Sequence, residues 1–386
     1  MIFINVFLGC LALFGVIFAL VIVLDTFLWV KPKLAHRKIK GYDDFTLWKR
    51  RVAECGRKWA KRMPTVRLKD ERRFVLLDIL TKQYKHSSLQ GWQYAQLISG
   101  LKAIDAEAKI KDFFTDNAIK EVDEGFLIYS EWTSGILENK DADALMQRYI
   151  EIIERSTKEN GLIEYREGFG NICLVDTLAF VCPILIKYGL YKNDEKWVDL
   201  AIKQIETYHS CAYVKEFGLY AHAYDSVKCS PCESIAWGRG TGWYLLGLLS
   251  CHRELPDTRK EKEELRLLIK EALENIVRHQ KNDGGWCTQL VGQWNYDSSA
   301  TAIFAYFILC ASELLGEQKA YVGYVEKAIR KLMSVTTEKG AIEYCEGDCH
   351  GIGKYSTLYT VSPFTQGMTM HLIKEYEKQY GAEING

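Results

Sequence analysis

EFGLYAHAYDS, residues 216–226, is followed by a polar loop and then by SIAWGRGTGWYLLGLLSCHREL, residues 234–255. A glycine opens the stretch, aromatic and small residues alternate after it, and a long apolar run closes it. Three other places share this order. ENGLIEYREG (159–168) precedes NICLVDTLAFVCPILIKYG (171–189), NDGGWCTQLVGQWNYDSSA (282–300) precedes TAIFAYFILCASELLG (301–316), and EKGAIEYCEG (338–347) precedes YTVSPFTQGMTMHLIKEYE (359–377). The leading glycines, Gly161, Gly218, Gly285 and Gly340, recur at intervals of 57, 67 and 55 residues by subtraction. Such a recurrence marks a supersecondary unit that cannot bury its own faces and must stack on its neighbours. Amphipathic stretches such as 197–209 and 261–280 lie between the units. Alternation of all-apolar with one-faced helices predicts an inner and an outer ring. SLQGWQYAQLISGLKAI (88–104) and EVDEGFLIYSEWTSGIL (121–137) supply two more inner helices. The predicted fold is therefore all-α, an (α/α)6 barrel over residues 71–386. Its polar loops gather at the mouth where the inner helices begin, and a site belongs there.

The N-terminal segment stands apart. Residues 6–24, VFLGCLALFGVIFALVIVL, carry no charge and reach the roughly 18 residues that read as a membrane-spanning helix. Asp25 closes the run, Trp29 suits an interface, and Lys31, Lys33, Arg37, Lys38 and Lys40 follow. A cleaved leader carries its basic residues before the apolar core and small residues after it; here that order is reversed. The expectation is an uncleaved, single-pass membrane anchor over residues 1–30, with a cleaved signal or export anchor as the alternative. The positive-inside rule then puts the N-terminus outside and everything after Lys31 in the cytoplasm. Residues 31–70 read as a basic juxtamembrane segment and a first amphipathic helix. Phe45, Trp48, Val52, Cys55 and Trp59 form its apolar face. Its basic face suits either anionic lipid or water.

Lys+Arg and Asp+Glu are both 50 in number, so the basic excess of a nucleic-acid binder is missing. Only 6 prolines interrupt the chain, which favours long helices. Of the 12 cysteines, Cys182, Cys251 and Cys310 sit in apolar runs. Cys229/Cys232 and Cys345/Cys349 are close pairs without a further ligand at zinc-finger spacing. They are expected to be mostly free thiols, in keeping with a reducing compartment.

Residues able to do chemistry cluster where the inner helices begin. Asp176 lies in CLVDTLAFV, with apolar neighbours on both sides. It is either a helix N-cap or a buried acid whose proton affinity is raised by burial and by a second carboxylate. Asp123 is that second carboxylate, or a cap for the next helix. Arg239 stands among Gly238, Gly240 and Gly242, between Trp237 and Trp243. The glycines predict a tight turn into a helix. The arginine suits a carboxylate or sugar hydroxyls, or clamps a neighbouring loop. Trp243 offers a flat apolar face to a sugar ring, whereas Trp237 reads as packing.

Taken in order, WQYAQLISGL, VDEGFLIYS, LVDTLAFVCPILIKYG, GLYAHAYDS, AWGRGTGWYLLGLL, GGWCTQL, YDSSATAIFAY and PFTQG resemble the glycoside hydrolase family 88/105 group, the unsaturated glucuronyl and rhamnogalacturonyl hydrolases. The resemblance spans residues 72–380 and implies the same (α/α)6 barrel. It implies Asp176 as general acid/base, with Asp123 as the second carboxylate beside it. It implies His222, Arg239 and Trp243 in the subsite for an unsaturated uronic acid, with Trp92 and Tyr94 close by. Asp297 departs from the family's usual Glu at a further substrate-binding position.

The implied reaction removes a Δ4,5-unsaturated uronic acid from oligosaccharides left by a lyase, and it requires no metal and no organic cofactor. The implied partners are the unsaturated oligosaccharide and, through the N-terminal helix, a membrane; no nucleic acid is expected. Another (α/α)6 carbohydrate enzyme, a lyase or an exo-glycosidase, and a non-catalytic membrane-tethered sugar-binding protein are the alternatives.

Overall fold

The computed structural model describes residues 2–35, 38–64, 91–110, 114, 119–349, 351–381 and 384. Arg37, the predicted start of the barrel at 71, and the first residues of the stretch 88–104 lie outside them. Helix α1 (Ile2–Ala35) carries an apolar stretch, Phe3–Phe27, long enough to cross a membrane and not buried by the rest of the protein. Helix α2 (Phe45–Lys61) begins at Asp44, whose carboxylate accepts the Leu47 backbone N–H. Its apolar face, with Phe45, Trp48, Val52 and Trp59, is buried in the soluble body. That assigns the basic opposite face to the outside of the barrel.

Six inner positions form a closed ring: α3 (Gly91–Ile104), α4 (Gly125–Thr133), the broken pair α6 (Asp176–Phe180) and α7 (Cys182–Lys192), α9 (Gly238–Glu254), α11 (Ser298–Leu315) and α13 (Pro363–Tyr380). Five outer helices are seen among the described residues: α2, α5 (Asn139–Ser156), α8 (Glu195–Ala212), α10 (Lys260–Val277) and α12 (Gln318–Ser334). Between α3 and α4 the described chain is not helical, apart from a single 3-10 turn at Val122–Glu124. The division follows from patterning. Most residues of α9 and α11 are buried, on all sides of the helix, whereas α10 buries only Leu265, Ile269, Ala272, Leu273 and Ile276. That spacing gives a single stripe facing the core. Where α3 and α13 cross, Gly100 and Gly367 face each other, and a Cβ on either would collide with the opposing backbone.

The repeat holds, with one adjustment. Gly161, Gly218 and Gly340 adopt positive φ, and in the third unit Gly284 does so instead of Gly285. Left-handed backbone costs an L side chain its Cβ clearance, so glycine marks these turns. The loops that follow add a small antiparallel sheet to the helical fold. β3 (Leu219–Asp225) pairs with β1 (Ile172–Leu174), β2 (Tyr213–Val214) and β4 (Ser230–Ile235). A second pair joins β5 (Cys345–Glu346) to β6 (Tyr359–Thr360).

Two expectations are corrected. Gly238, Gly240 and Gly242 do not make the turn; they are the first residues of α9, and the left-handed residue before them is Ala236 at φ 72°. They are small because of what lies against them. A Cβ on Gly240 would come within 2.5 Å of the Trp237 ring, and one on Gly242 within 2.6 Å of Ile303 Cδ1. The cysteines are mostly thiols, as expected, but Cys211 and Cys229 form a disulfide that ties the end of α8 to the β3–β4 turn.

Candidate active site

The N-terminal ends of the inner helices and the small sheet meet at one mouth. β3 and α6 place two of the expected residues together there. His222 Nε2 lies 3.3 Å from Asp176 Oδ2. Asp176 is the first residue of α6 and makes no capping hydrogen bond. Its Oδ2 has no hydrogen-bond partner among the described residues; the His222 contact at 3.3 Å is an ion-pair distance only. The N-cap reading of Asp176 is thereby set aside. His222 is fixed from behind: Tyr355 Oη is 3.1 Å from Nδ1, and the Trp237 ring lies 4.5 Å from the imidazole, centroid to centroid.

Asp123 arrives on the 3-10 turn before α4. Arg166 Nη2 donates to its Oδ2 at 2.6 Å, while Arg166 Nη1 holds Glu121 at 3.0 Å. The capping interactions of this turn belong to Glu121 and Glu124, not to Asp123. The turn that carries Asp123 packs against α6, which begins with Asp176. Burial pushes the Tyr165 phenol well above the ordinary range, and the charges of Asp176 and Asp123 push it further. Tyr165 and Arg166 belong to the quoted unit ENGLIEYREG, so their position after the glycine turn was the signal that could have found them.

Arg239, Trp243 and Asp297 are placed differently from the sugar-contacting expectation. Arg239 is 2% exposed. Its Nη1 donates to the Glu346 carbonyl at 2.8 Å and its Nη2 to the Gly347 carbonyl at 2.5 Å. Both terminal nitrogens are thus taken by the last residue of β5 and the residue after it, which is the clamp alternative. Trp243 is also 2% exposed. Phe180, Phe364 and Trp92 pack edge-on to it at 4.9, 5.0 and 5.6 Å between centroids. These rings form a plug beneath the mouth and cover the face expected to hold a sugar. Asp297 is fully buried and caps α11, accepting from the Ser299 N–H at 2.9 Å and from the Ala300 N–H at 3.3 Å. Its Oδ1 also accepts the Glu346 N–H at 3.1 Å. Trp92 belongs to the aromatic plug, and Tyr94 is half-buried beside the core.

Glu346 carries chemistry that the sequence reading passed over, since CEGDC was read for its cysteines. Trp237 Nε1 donates to its Oε2 at 2.9 Å. Burial pushes its carboxyl up to about 8, against the opposing pull of Arg239. Burial likewise pushes the nearby Cys349 thiol up to about 12, with Asp348 and Asp176 adding to the shift. Among the described residues no group of three or more His, Cys, Asp or Glu side chains is arranged to hold a metal ion.

The family model of Glycosyl Hydrolase Family 88 matches residues 79–380. The chain belongs to that family. Two curated relatives are similar to parts of this family 88 chain. An unsaturated 3S-rhamnoglycuronyl hydrolase of Formosa agariphila is 26% identical over a stretch covering 44% of this chain and 48% of the relative. The unsaturated rhamnogalacturonyl hydrolase YesR of Bacillus subtilis is 24% identical, covering 43% and 47%. The chain spans about half the length of the curated relatives it matches. A possible member of the GH105 family from Klebsiella pneumoniae superposes with a TM-score of 0.69 at 19% identity, covering 87% of this chain and 93% of the other. That likeness bears on the barrel fold.

Proposed function

We propose that this family 88 chain hydrolyses unsaturated uronides, removing a Δ4,5-unsaturated uronic acid from the non-reducing end of lyase-generated oligosaccharides. The observation that supports this most is Asp176: a carboxylate at the mouth, one oxygen left without a hydrogen bond, beside His222, on a helix that packs against the turn carrying the Arg166-held Asp123. The substrate's C4=C5 bond is an enol ether. Protonated Asp176 gives its proton to C4, and the positive charge that develops is shared by C5 and the ring oxygen. Water adds to C5 as the Asp176 carboxylate takes its proton, which restores the acid. The C5 hemiketal opens to a ketone, and the hemiacetal freed at C1 expels the neighbouring sugar. One acid/base group thus suffices, and the spacing rule for retaining and inverting glycosidases does not apply. In this reading Asp123, paired with Arg166, adds negative charge near the proton-carrying Asp176, and His222 lines the same side of the mouth.

The names of the relatives make rhamnoglycuronyl and rhamnogalacturonyl lyase products the substrates to assay first. Hydration removes the conjugated enol ether, so ultraviolet absorbance falls with turnover; a lyase would raise it. Asp176→Asn should abolish the fall. Unchanged turnover in that variant, or a rise in absorbance, overturns the reading.

The same proposal includes a membrane anchor at Phe3–Phe27, with the barrel on the cytoplasmic side set by the basic residues after it. A reporter fused after Gly386 tests the side, and export activity there overturns the orientation.

A further inference from the structure

A second cavity, of about 440 Å³, lies inside the ring away from the mouth. It is lined near the C-terminal ends of inner helices by Ser99 and Lys102 of α3, Ser130 of α4, Ser250 and Arg253 of α9, Tyr306 of α11 and His371 of α13. Phe126 closes its inner side and packs on Trp243 at 6.1 Å between centroids, so the aromatic plug separates this cavity from the mouth. Its size falls within the range of small-molecule sites, about 300–1,000 Å³.

The lining is mixed. Apolar side chains such as Leu246 and Met368 alternate with hydroxyls, the Gln96 amide, the His371 imidazole and two cations, and it contains no carboxylate. Two acids stand behind the lining and are paired: Glu254 accepts from the lining Tyr129 hydroxyl and meets Lys187, and Glu375, whose charge acts on His371, meets Lys378 and accepts from Gln379. His371 contacts Ser99 Oγ at 2.9 Å; burial, and then Arg253, push its imidazole down to about 4, so it is neutral at physiological pH. Lys102 donates to the Ala106 carbonyl. Arg253 makes one long contact, 3.4 Å to the Tyr306 hydroxyl, and forms no ion pair among the described residues. A guanidinium has five donors; this one is exposed where it lines the cavity, so most of the fork is open to water or to a ligand. A cation near helix C-termini is favourable without any ligand, but that role needs neither a cavity nor a ring of hydroxyls.

We propose that this cavity is a second binding site, for an anionic polyol of monosaccharide size, with Arg253 gripping its carboxylate or phosphate and the Ser250 and Tyr306 hydroxyls meeting its hydroxyls; Ser99 and Ser130 donate to carbonyls of their own helices. The site is separate from the mouth and does not depend on the hydrolase reading.

Titration calorimetry on the full chain tests it, with sodium glucuronate, glucose 6-phosphate and neutral glucose as probes. At least one of the two anions should bind, and which one does distinguishes a sugar acid from a sugar phosphate. Glucose should bind at least tenfold more weakly. Arg253→Gln should weaken the anion at least tenfold, and Ser250→Leu, which fills the cavity and keeps the charge, should do the same. His222→Gln, at the mouth, should leave this binding within twofold of the parent. The proposal is overturned if neither anion binds, if glucose binds equally well, if Ser250→Leu binds like the parent, or if His222→Gln abolishes binding. Should Arg253→Gln fail to fold, Ser250→Leu alone decides.

Discussion

Asp176 Oδ2 and His222 Nε2 stand 3.3 Å apart across the mouth of the barrel, one on the first turn of an inner helix and the other on the central strand of the small sheet. The carboxylate is unbonded at that oxygen, so replacing it changes chemistry more than packing. Asp176→Asn keeps the shape and removes the transferable proton. Its kcat on an unsaturated disaccharide should fall by about 10²–10⁴-fold or more, the usual worth of a positioned acid/base group. The affinity for the same disaccharide, measured by calorimetry, should change little. A variant that loses affinity and keeps its rate would make Asp176 a binding group.

Arg239 behaves as a buried clamp, so its loss should register in stability. Arg239→Ala leaves the Glu346 and Gly347 carbonyls without their donors and removes the cation beside Glu346. Leaving a buried polar group without its partner costs about 1–3 kcal/mol for each group. Urea denaturation should show that loss, and Arg239→Lys should recover only part of it, because an ammonium cannot serve two carbonyls as a fork. A raised KM at unchanged stability would restore the substrate-contact reading.

Glu346 makes stability depend on pH with a definite sign. Its folded carboxyl titrates near about 8, its ordinary value is 4.5, and burial is the main cause. Between those values the unfolded chain has lost the proton that the folded chain keeps. Stability therefore falls as pH rises from about 4.5 through about 8. Urea midpoints measured across that window should fall toward the alkaline end. Glu346→Gln, which stays neutral and still accepts from Trp237 Nε1, should flatten that part of the slope. An unchanged slope in the variant would assign the dependence to other groups.

The Cys211–Cys229 disulfide bears on whether the barrel resides in an oxidising or a reducing compartment. Closing the 18-residue separation should stabilise the folded chain by about 3 kcal/mol where the bond is intact. A reducing cytoplasm would hold the pair as thiols. Alkylation before cell lysis, read by mass spectrometry, should then find both residues alkylated, with the bond and its stability gain appearing only after oxidation. A bonded pair in the cell would place the barrel in an oxidising compartment.

Much of the site was visible in the residues because polar groups are rare beside apolar inner helices. Asp176 and His222 announce themselves in LVDTLAF and LYAHAYD. Direction was not visible. Arg239, Trp243 and Asp297 sit near the mouth in sequence order, yet each is occupied by partners contributed from elsewhere in the chain. Arg239 finds its acceptors 107 and 108 residues away, and Asp297 accepts a backbone N–H 49 residues away.

By itself the sequence determined the ring of alternating apolar and one-faced helices, the glycine turns that punctuate it and the family to which it belongs. Those properties depend on helical periodicity, local backbone freedom and the order of short motifs, all of which are written along the chain. Only the tertiary structure decided which polar groups face the mouth, which clamp a loop, which cysteines pair and that a second cavity opens near the far ends of the inner helices. Each of these depends on where distant segments come to rest, because a donor satisfied by a remote carbonyl has the same one-letter code as a donor left open for a ligand.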